Sequence, residues 1–202
     1  MSNKPKIKFG LKNVYYAPMV ETVENGVTTV TYQTPKPWKG AVNLALSPTG
    51  ESSSFYADDT EYANLTSNQG YEGDFESAMI PDDVQIDVLD NDEVDDVIIE
   101  SAENQGKLFA LLFEIANDVK ARRYVFYRCN LSTRPSVESN TKTDSTEPVT
   151  DKVTLKATPR TDVVNVNGVD KHLVKAVTTE STSSEIYNSW YNDVWTPGTS
   201  TP

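Results

Sequence analysis

Residues 107–134 read KLFALLFEIANDVKARRYVFYRCNLSTR. A nearly unbroken apolar run at 108–115 is followed by Asn117, Asp118, Lys120, Arg122 and Arg123. A second run then carries Tyr124, Val125, Phe126 and Tyr127 and ends at Leu131. Apolar runs bounded by such polar residues predict a β-hairpin. Taken alone, 108–115 also fits a buried turn of helix, because periodicity does not decide a short apolar run. The Tyr, Val and Phe of the facing run favour strands. Strands that are apolar on both faces must be covered on both faces. The expected covers are the chain's own second sheet on one side and a neighbouring copy on the other. Leu111, Phe113, Tyr124 and Phe126 are therefore candidate inter-subunit contacts.

Other strands and turns follow outward from this hairpin. Asn25-Gly26 separates strand-like runs at 19–23 and 27–32, and Asn167-Gly168 separates 163–166 from 169–177. Asn-Gly between such runs is the strongest short hairpin signal. Pro18, Pro35 and Pro37 act as stops. Further strands are expected at 40–46, before a turn at 47–50, and at 149–158. Lys4, Lys6, Lys8 and Lys12 alternate with Ile7, Phe9 and Leu11, a pattern that suits an edge strand or an ordered arm. Residues 52–60 and 71–80 are strand-like arms around a polar excursion that includes Asn64, Leu65, Thr66 and Asn68. Pro81, Asp82 and Asp83 open a short helix through Leu89, with Val84 and Val88 on its apolar face. A second helix at 183–195, capped by Ser184, places Ile186, Tyr187, Trp190, Tyr191 and Val194 on one face.

The expected fold is mostly β: two packed antiparallel sheets forming a sandwich or barrel, with one or two short flanking helices. Residues 1–195 make one domain with a long loop at about 49–80. Residues 135–148 are a polar exposed connection, and 196–202 are a flexible tail.

Charge is unevenly spread. The formal net charge is −12, yet residues 51–103 hold 17 acids and no Lys or Arg, which leaves +5 on the remainder. Acidity of this degree disfavours a surface that clamps nucleic acid. A segregation this complete is expected to have a spatial consequence, with part of the acidic segment meeting the basic arm of an adjacent copy.

One Cys and one His exclude an internal disulfide framework and a Cys/His zinc site. Cys129 reads as a small buried hydrophobe, and His172 as an exposed strand residue. The acidic stretch 90–96 departs from a calcium-binding loop, with Val94 and Asp95 at its fifth and sixth positions and no Gly; it reads as a solvated loop. Acids suitable for glycoside hydrolysis abound, but none is tied to a recognisable cleft. Phosphate-binding loops, nucleophile elbows and H-E-x-x-H are absent from the sequence. No catalytic, cofactor-binding or metal-binding residue is assigned, and no enzymatic role is expected. No apolar run approaches a membrane span and no signal peptide is visible, so a soluble protein made in the cytoplasm is expected.

FALLFEIANDVKARRYVFYRCNLSTRPSV at 109–137 and KFGLKNVYYAPM at 8–19 resemble the major tail proteins, or tail tube proteins, of long-tailed non-contractile bacteriophages (siphoviruses) of Gram-positive bacteria. The resemblance continues more thinly through KPWKGAVNLALSP, VTLKATPR and YNSWYNDVWTP. It implies a structural virion protein that self-assembles into hexameric rings stacked as a tube. Each subunit contributes strands to an inner β-barrel, and a long loop and terminal arms bridge rings. The implied partners are other copies, the tape measure protein, and tail initiator and terminator proteins. DNA is only a transient occupant of the lumen during ejection. On this reading Lys4, Lys6 and Lys8 belong to a bridging arm, and Asn64 to Gly70 to the tip of the bridging loop. The alternatives from other classes are a virion-surface decoration protein that binds a receptor or carbohydrate, and a hydrolase.

Overall fold

The computed structural model describes residues 9–57, 59–116, 120–141 and 148–198. β1 (Phe9–Glu24) turns into β2 (Val27–Tyr32) through Asn25 and Gly26, whose φ angles of 52° and 78° are those of a two-residue hairpin turn. Pro18 does not stop β1. The strand changes partner at that residue, so the missing N–H interrupts no continuous ladder. After β3 (Lys36–Pro37) comes β4 (Ala41–Thr49), which also runs through its proline, Pro48. β4 is an edge strand in the sheet, where a proline is tolerated.

Among the described residues, β5 (Ser52–Ala57) and β6 (Thr60–Thr66) pair only with each other, and β7 (Gly70–Ser77) returns to pair with β4. α1 (Asp82–Asp87) forms where expected, with Val84 fully buried. Tyr16 donates to Asp87 at 2.8 Å, and Lys36 pairs with the same carboxylate at 2.5 Å. The stretch read as an acidic loop is instead a small hairpin, β8 (Asp92–Val94) and β9 (Val97–Ile99). Asp95 and Asp96 make its turn at φ 53° and 61°. Aspartate is among the few non-glycine residues that enter this region readily.

The central hairpin is β10 (Phe109–Ala116) and β11 (Arg122–Leu131). β12 (Asp151–Ala157) follows, then the second Asn-Gly hairpin, β13 (Val164–Val166) and β14 (Val169–Lys171). β15 (Lys175–Val177) pairs with β11, and α2 (Ser184–Ser189) ends the ordered elements. The α2 cap is Ser183 rather than Ser184: its hydroxyl accepts from the Ile186 N–H at 3.3 Å.

The fold is mostly β and antiparallel, with two short helices. One main sheet runs β2-β1-β10-β11-β12-β7-β4, with β3 on β1 and β15 on β11. Val14, Tyr16, Phe109, Leu111 and Phe126 of one half meet Phe75, Val153 and Leu155 of the other in a single core. The two layers of the sandwich are thus halves of one curled sheet, and the strand order does not close into a barrel. Trp38 lies at the centre of this core, edge-on to Phe75 at 4.8 Å.

Candidate assembly surfaces

Both faces of the central hairpin are largely covered by the chain itself. Leu111, Phe113 and Phe126 point into the main core, and their exposures of 0%, 4% and 3% remove them from the surface. Ala110, Leu112, Val125 and Tyr127 point the other way. They are covered by the chain's own carboxy-terminal segment, where Trp190 is buried and Ile186, Tyr191, Val194 and Trp195 pack beside it. The neighbouring copy expected on that side is replaced by α2 and the residues after it. Of the four apolar candidates only Tyr124 is half-exposed. It stacks on Phe113 at 5.1 Å and lines a groove of about 370 Å³ with Leu44, Leu46, Tyr71 and Lys175.

Polar contacts fasten the carboxy-terminal cover. Arg123 donates to Glu114 at 3.0 Å, and its guanidinium lies over the Tyr187 ring at 3.8 Å. The Trp190 indole N–H donates to the Tyr124 carbonyl at 3.4 Å. Beside this cover, Arg160 grips Asp162 through two bonds of 2.7 and 2.6 Å, both residues being buried. The His172 ring nitrogen Nδ1 lies 2.9 Å from the Arg160 carbonyl oxygen, on an exposed residue. Cys129 is fully buried, and that burial pushes its thiol pKa well up.

The predicted bridging excursion is a ribbon rather than an irregular loop. Asn64, Leu65 and Thr66 lie on β6, paired with Ser54, Ser53 and Ser52. The ribbon's last pair at its far end is Ala57 with Thr60, so Asn64 to Gly70 lead to its base instead of forming its tip. Asn68 is exposed at that base, where its side-chain oxygen accepts from the Gly70 N–H at 3.2 Å. Ser67 and Gln69 donate backbone bonds to Glu51 and Thr49 at 2.9 and 3.0 Å. The two strands cross closely there: a Cβ on Gly50 would lie 2.0 Å from the Ser67 carbonyl oxygen. Lys4, Lys6 and Lys8 lie outside the described residues.

Three surfaces went unrecognised in the sequence. β2 (VTTVTY) and β4 (AVNLALSPT) are the two ends of the main sheet, and neither holds a charged residue. The third is one face of the β8–β9 hairpin, where Val94, Val97 and Ile99 are 53%, 59% and 43% exposed. The signal was present in the sequence as V-D-D-V-I-I, two aliphatic arms around a two-residue acidic turn.

Among the described residues, no three His, Cys, Asp or Glu side chains converge to hold a metal ion, and no helix is long and apolar enough to cross a membrane. No protein-family model matches the chain, and no curated protein is significantly similar to it.

Proposed function

We propose that this chain is a structural subunit of a bacteriophage tail tube. It assembles as stacked hexameric rings around the tape measure protein, between initiator and terminator complexes, and lines the conduit for DNA ejection. It acts in the virion tail after synthesis in the host cytoplasm, and it has no catalytic role. The family and the ring number rest on the resemblance of the quoted phrases. The physical case rests chiefly on the uncharged edge strand β2 at one end of the main sheet. Monomeric β proteins commonly protect such edges with charge, bulges or covering segments, because unpaired N–H and C=O groups template further strands. β4 carries Pro48 and an irregularity between Ala41 and Asn43, both of which blunt an edge, so β2 is the end left open for copies that pair edge to edge.

A second support is the β5–β6 ribbon, which pairs with no third strand among the described residues. A lone two-stranded ribbon is marginal in water, so a partner surface would stabilise it. The segregated charge is the third: an acidic lumen wall repels phosphate and lets DNA pass without sticking. Electron microscopy and light scattering of the purified protein at rising concentration test the reading. Rings or tubes are expected without any added ligand. A monodisperse monomer at every concentration, with tape measure protein and initiator complex present, would sink it.

A further inference from the structure

We propose that the β8–β9 hairpin is a preformed docking site for residues 1–8 of a second copy, with Ile7 seated against Val94, Val97 and Ile99. This deepens the assembly reading and rests on it. Register places Asp92 with Ile99 and Val94 with Val97, so the three aliphatic side chains share one face. Ile98 is on the opposite face and is half-buried against the body of the protein. Asp92, Asp95, Asp96 and Glu100 ring the exposed triad, and all four are exposed. A contiguous aliphatic face with a charged rim has the composition of a protein docking site.

The hairpin is held rigidly at its base. Arg134 donates to the Asn91 side chain at 3.1 Å and to the Asn104 carbonyl at 2.8 Å, and pairs with Glu100 at 3.4 Å. Lys107 pairs with Asp90 at 2.6 Å, and its N–H donates to Val88 at 2.7 Å. A site ordered before its partner arrives loses little conformational freedom on binding.

The occupant is argued from charge and reach. Residues 1–8 read MSNKPKIK: one aliphatic residue flanked by Lys6 and Lys8, with Lys4 beyond. That is the complement of an aliphatic triad inside an acidic rim. Phe9, from which the chain's own arm departs, lies at the far end of β10 from the hairpin's base. Phe9 pairs with Ala116 at one end of β10, whereas Lys107, which holds Asp90, precedes the other end. An eight-residue strand separates those ends by roughly 24 Å, and the two residues from Ile7 to Phe9 span at most about 7 Å. Phe9 and the hairpin's base therefore lie at opposite ends of β10, which favours an arm from a second copy. A head-to-tail contact of this kind repeats from copy to copy, as a ring where the rotation closes and as an open stack where it does not.

The test is a full-length Ile7→Cys, Val97→Cys double variant, oxidised mildly at increasing protein concentration. Cys129 is buried and does not compete. A ladder of disulfide-linked oligomers on non-reducing gels is expected, and it should be absent from an Ile7→Cys, Val23→Cys control, because Val23 is exposed elsewhere. Adding Val94→Thr and Ile99→Thr should remove the ladder. Adding Asp95→Asn and Asp96→Gly, which keeps the turn and removes charge, should weaken it roughly two- to fivefold. A cross-linked monomer alone, no cross-link, or a ladder indifferent to these changes would overturn the docking. Rings or tubes without the ladder would remove this inference and leave the proposed function standing. A ladder without rings or tubes would do the reverse.

Discussion

The Tyr127 hydroxyl donates a hydrogen bond to the Trp195 carbonyl oxygen, 2.9 Å away and 68 residues later in the chain. Tyr127 also accepts, at its own carbonyl, the hydroxyl of Tyr32 at 2.9 Å. One residue of the central hairpin thus ties the first hairpin to the carboxy-terminal cover. The cover is what keeps Leu112 and Val125 dry. Trp190→Ala should cost about 3–5 kcal/mol, the usual range for emptying a buried tryptophan site. Tyr127→Phe should cost about 1 kcal/mol, the net worth of a hydrogen bond. Urea unfolding of the two variants checks both, and equal losses would show that the cover is not held mainly by packing.

The buried tyrosines set the behaviour in alkali. Burial raises the pKa of Tyr16, Tyr32, Tyr127 and Tyr191 above the ordinary 10.0. A raised phenol pKa means that the fold favours the neutral form. Its contribution is fully present below pH 10 and is lost as pH climbs through the folded-state value, because the unfolded chain releases the proton first. Stability should therefore fall steeply above about pH 10. Tyr32→Phe and Tyr127→Phe should each flatten that fall. Denaturant midpoints measured from pH 8 to 11 would show it, and an unchanged slope would contradict it.

Arg160 and Asp162 behave as a unit. The guanidinium is 5% exposed, and its Nη1 has no hydrogen-bond partner among the described residues. The group lies 5.5 and 5.7 Å from the Tyr32 and Tyr127 rings, which face its positive charge. Asp162→Ala should cost about 3–5 kcal/mol, because it strands a buried cation. Replacing both residues together, as Arg160→Met with Asp162→Leu, should cost much less. A double variant as damaged as the single one would show that the pair stabilises the fold beyond avoiding an unpaired charge.

Local rules carried the strands and the two Asn-Gly turns from the sequence, because each depends on residues adjacent in the chain. They failed where tertiary pairing decided the outcome. Pro18 and Pro48 look like stops, yet one lies where β1 changes partners and the other on an edge. The two-sided apolar pattern of 109–116 was legible, but its second cover was not. Trp190 and Trp195 lie far along the chain, and no local pattern says that they fold back onto Leu112. Leu111, Phe113 and Phe126 read as interface residues for the same reason that they read as core: both environments select large apolar side chains. Asp95-Asp96 was missed because charge suggested solvent, although aspartate supports the positive φ of a tight turn.

Salt should separate steering from packing in assembly. The screening length falls from about 10 Å at 0.1 M salt to 3 Å at 1 M. Exposed ion pairs contribute only about 0–1 kcal/mol each, but every copy in a stack repeats them. Lys4→Glu, Lys6→Glu and Lys8→Glu together should impair stacking more than folding, and 1 M salt should slow assembly of the unaltered protein. Light-scattering kinetics give the comparison. Rates indifferent to both changes would assign the acidic segment to solubility alone.

The β5–β6 ribbon offers the cleanest separation of fold from assembly. Ser67 already donates its N–H to the Glu51 carbonyl at 2.9 Å, so the chain ends left by removing residues 52–66 lie side by side. Joining Glu51 to Ser67 through Asn-Gly leaves β4 and β7 paired over their full register. Gly50 and Gly70 stay in place, which matters because a Cβ on Gly70 would lie 1.9 Å from the Ala157 carbonyl oxygen. Among the described residues, the ribbon contributes no strand to the main sheet. The shortened protein should keep its circular dichroism spectrum and melt within a few degrees of the parent, because little of the main core is disturbed. It should not form tubes at concentrations where the parent does. Tubes of normal length from the shortened chain would remove the ribbon from the inter-subunit contacts, and a collapse in stability would make it part of the fold instead.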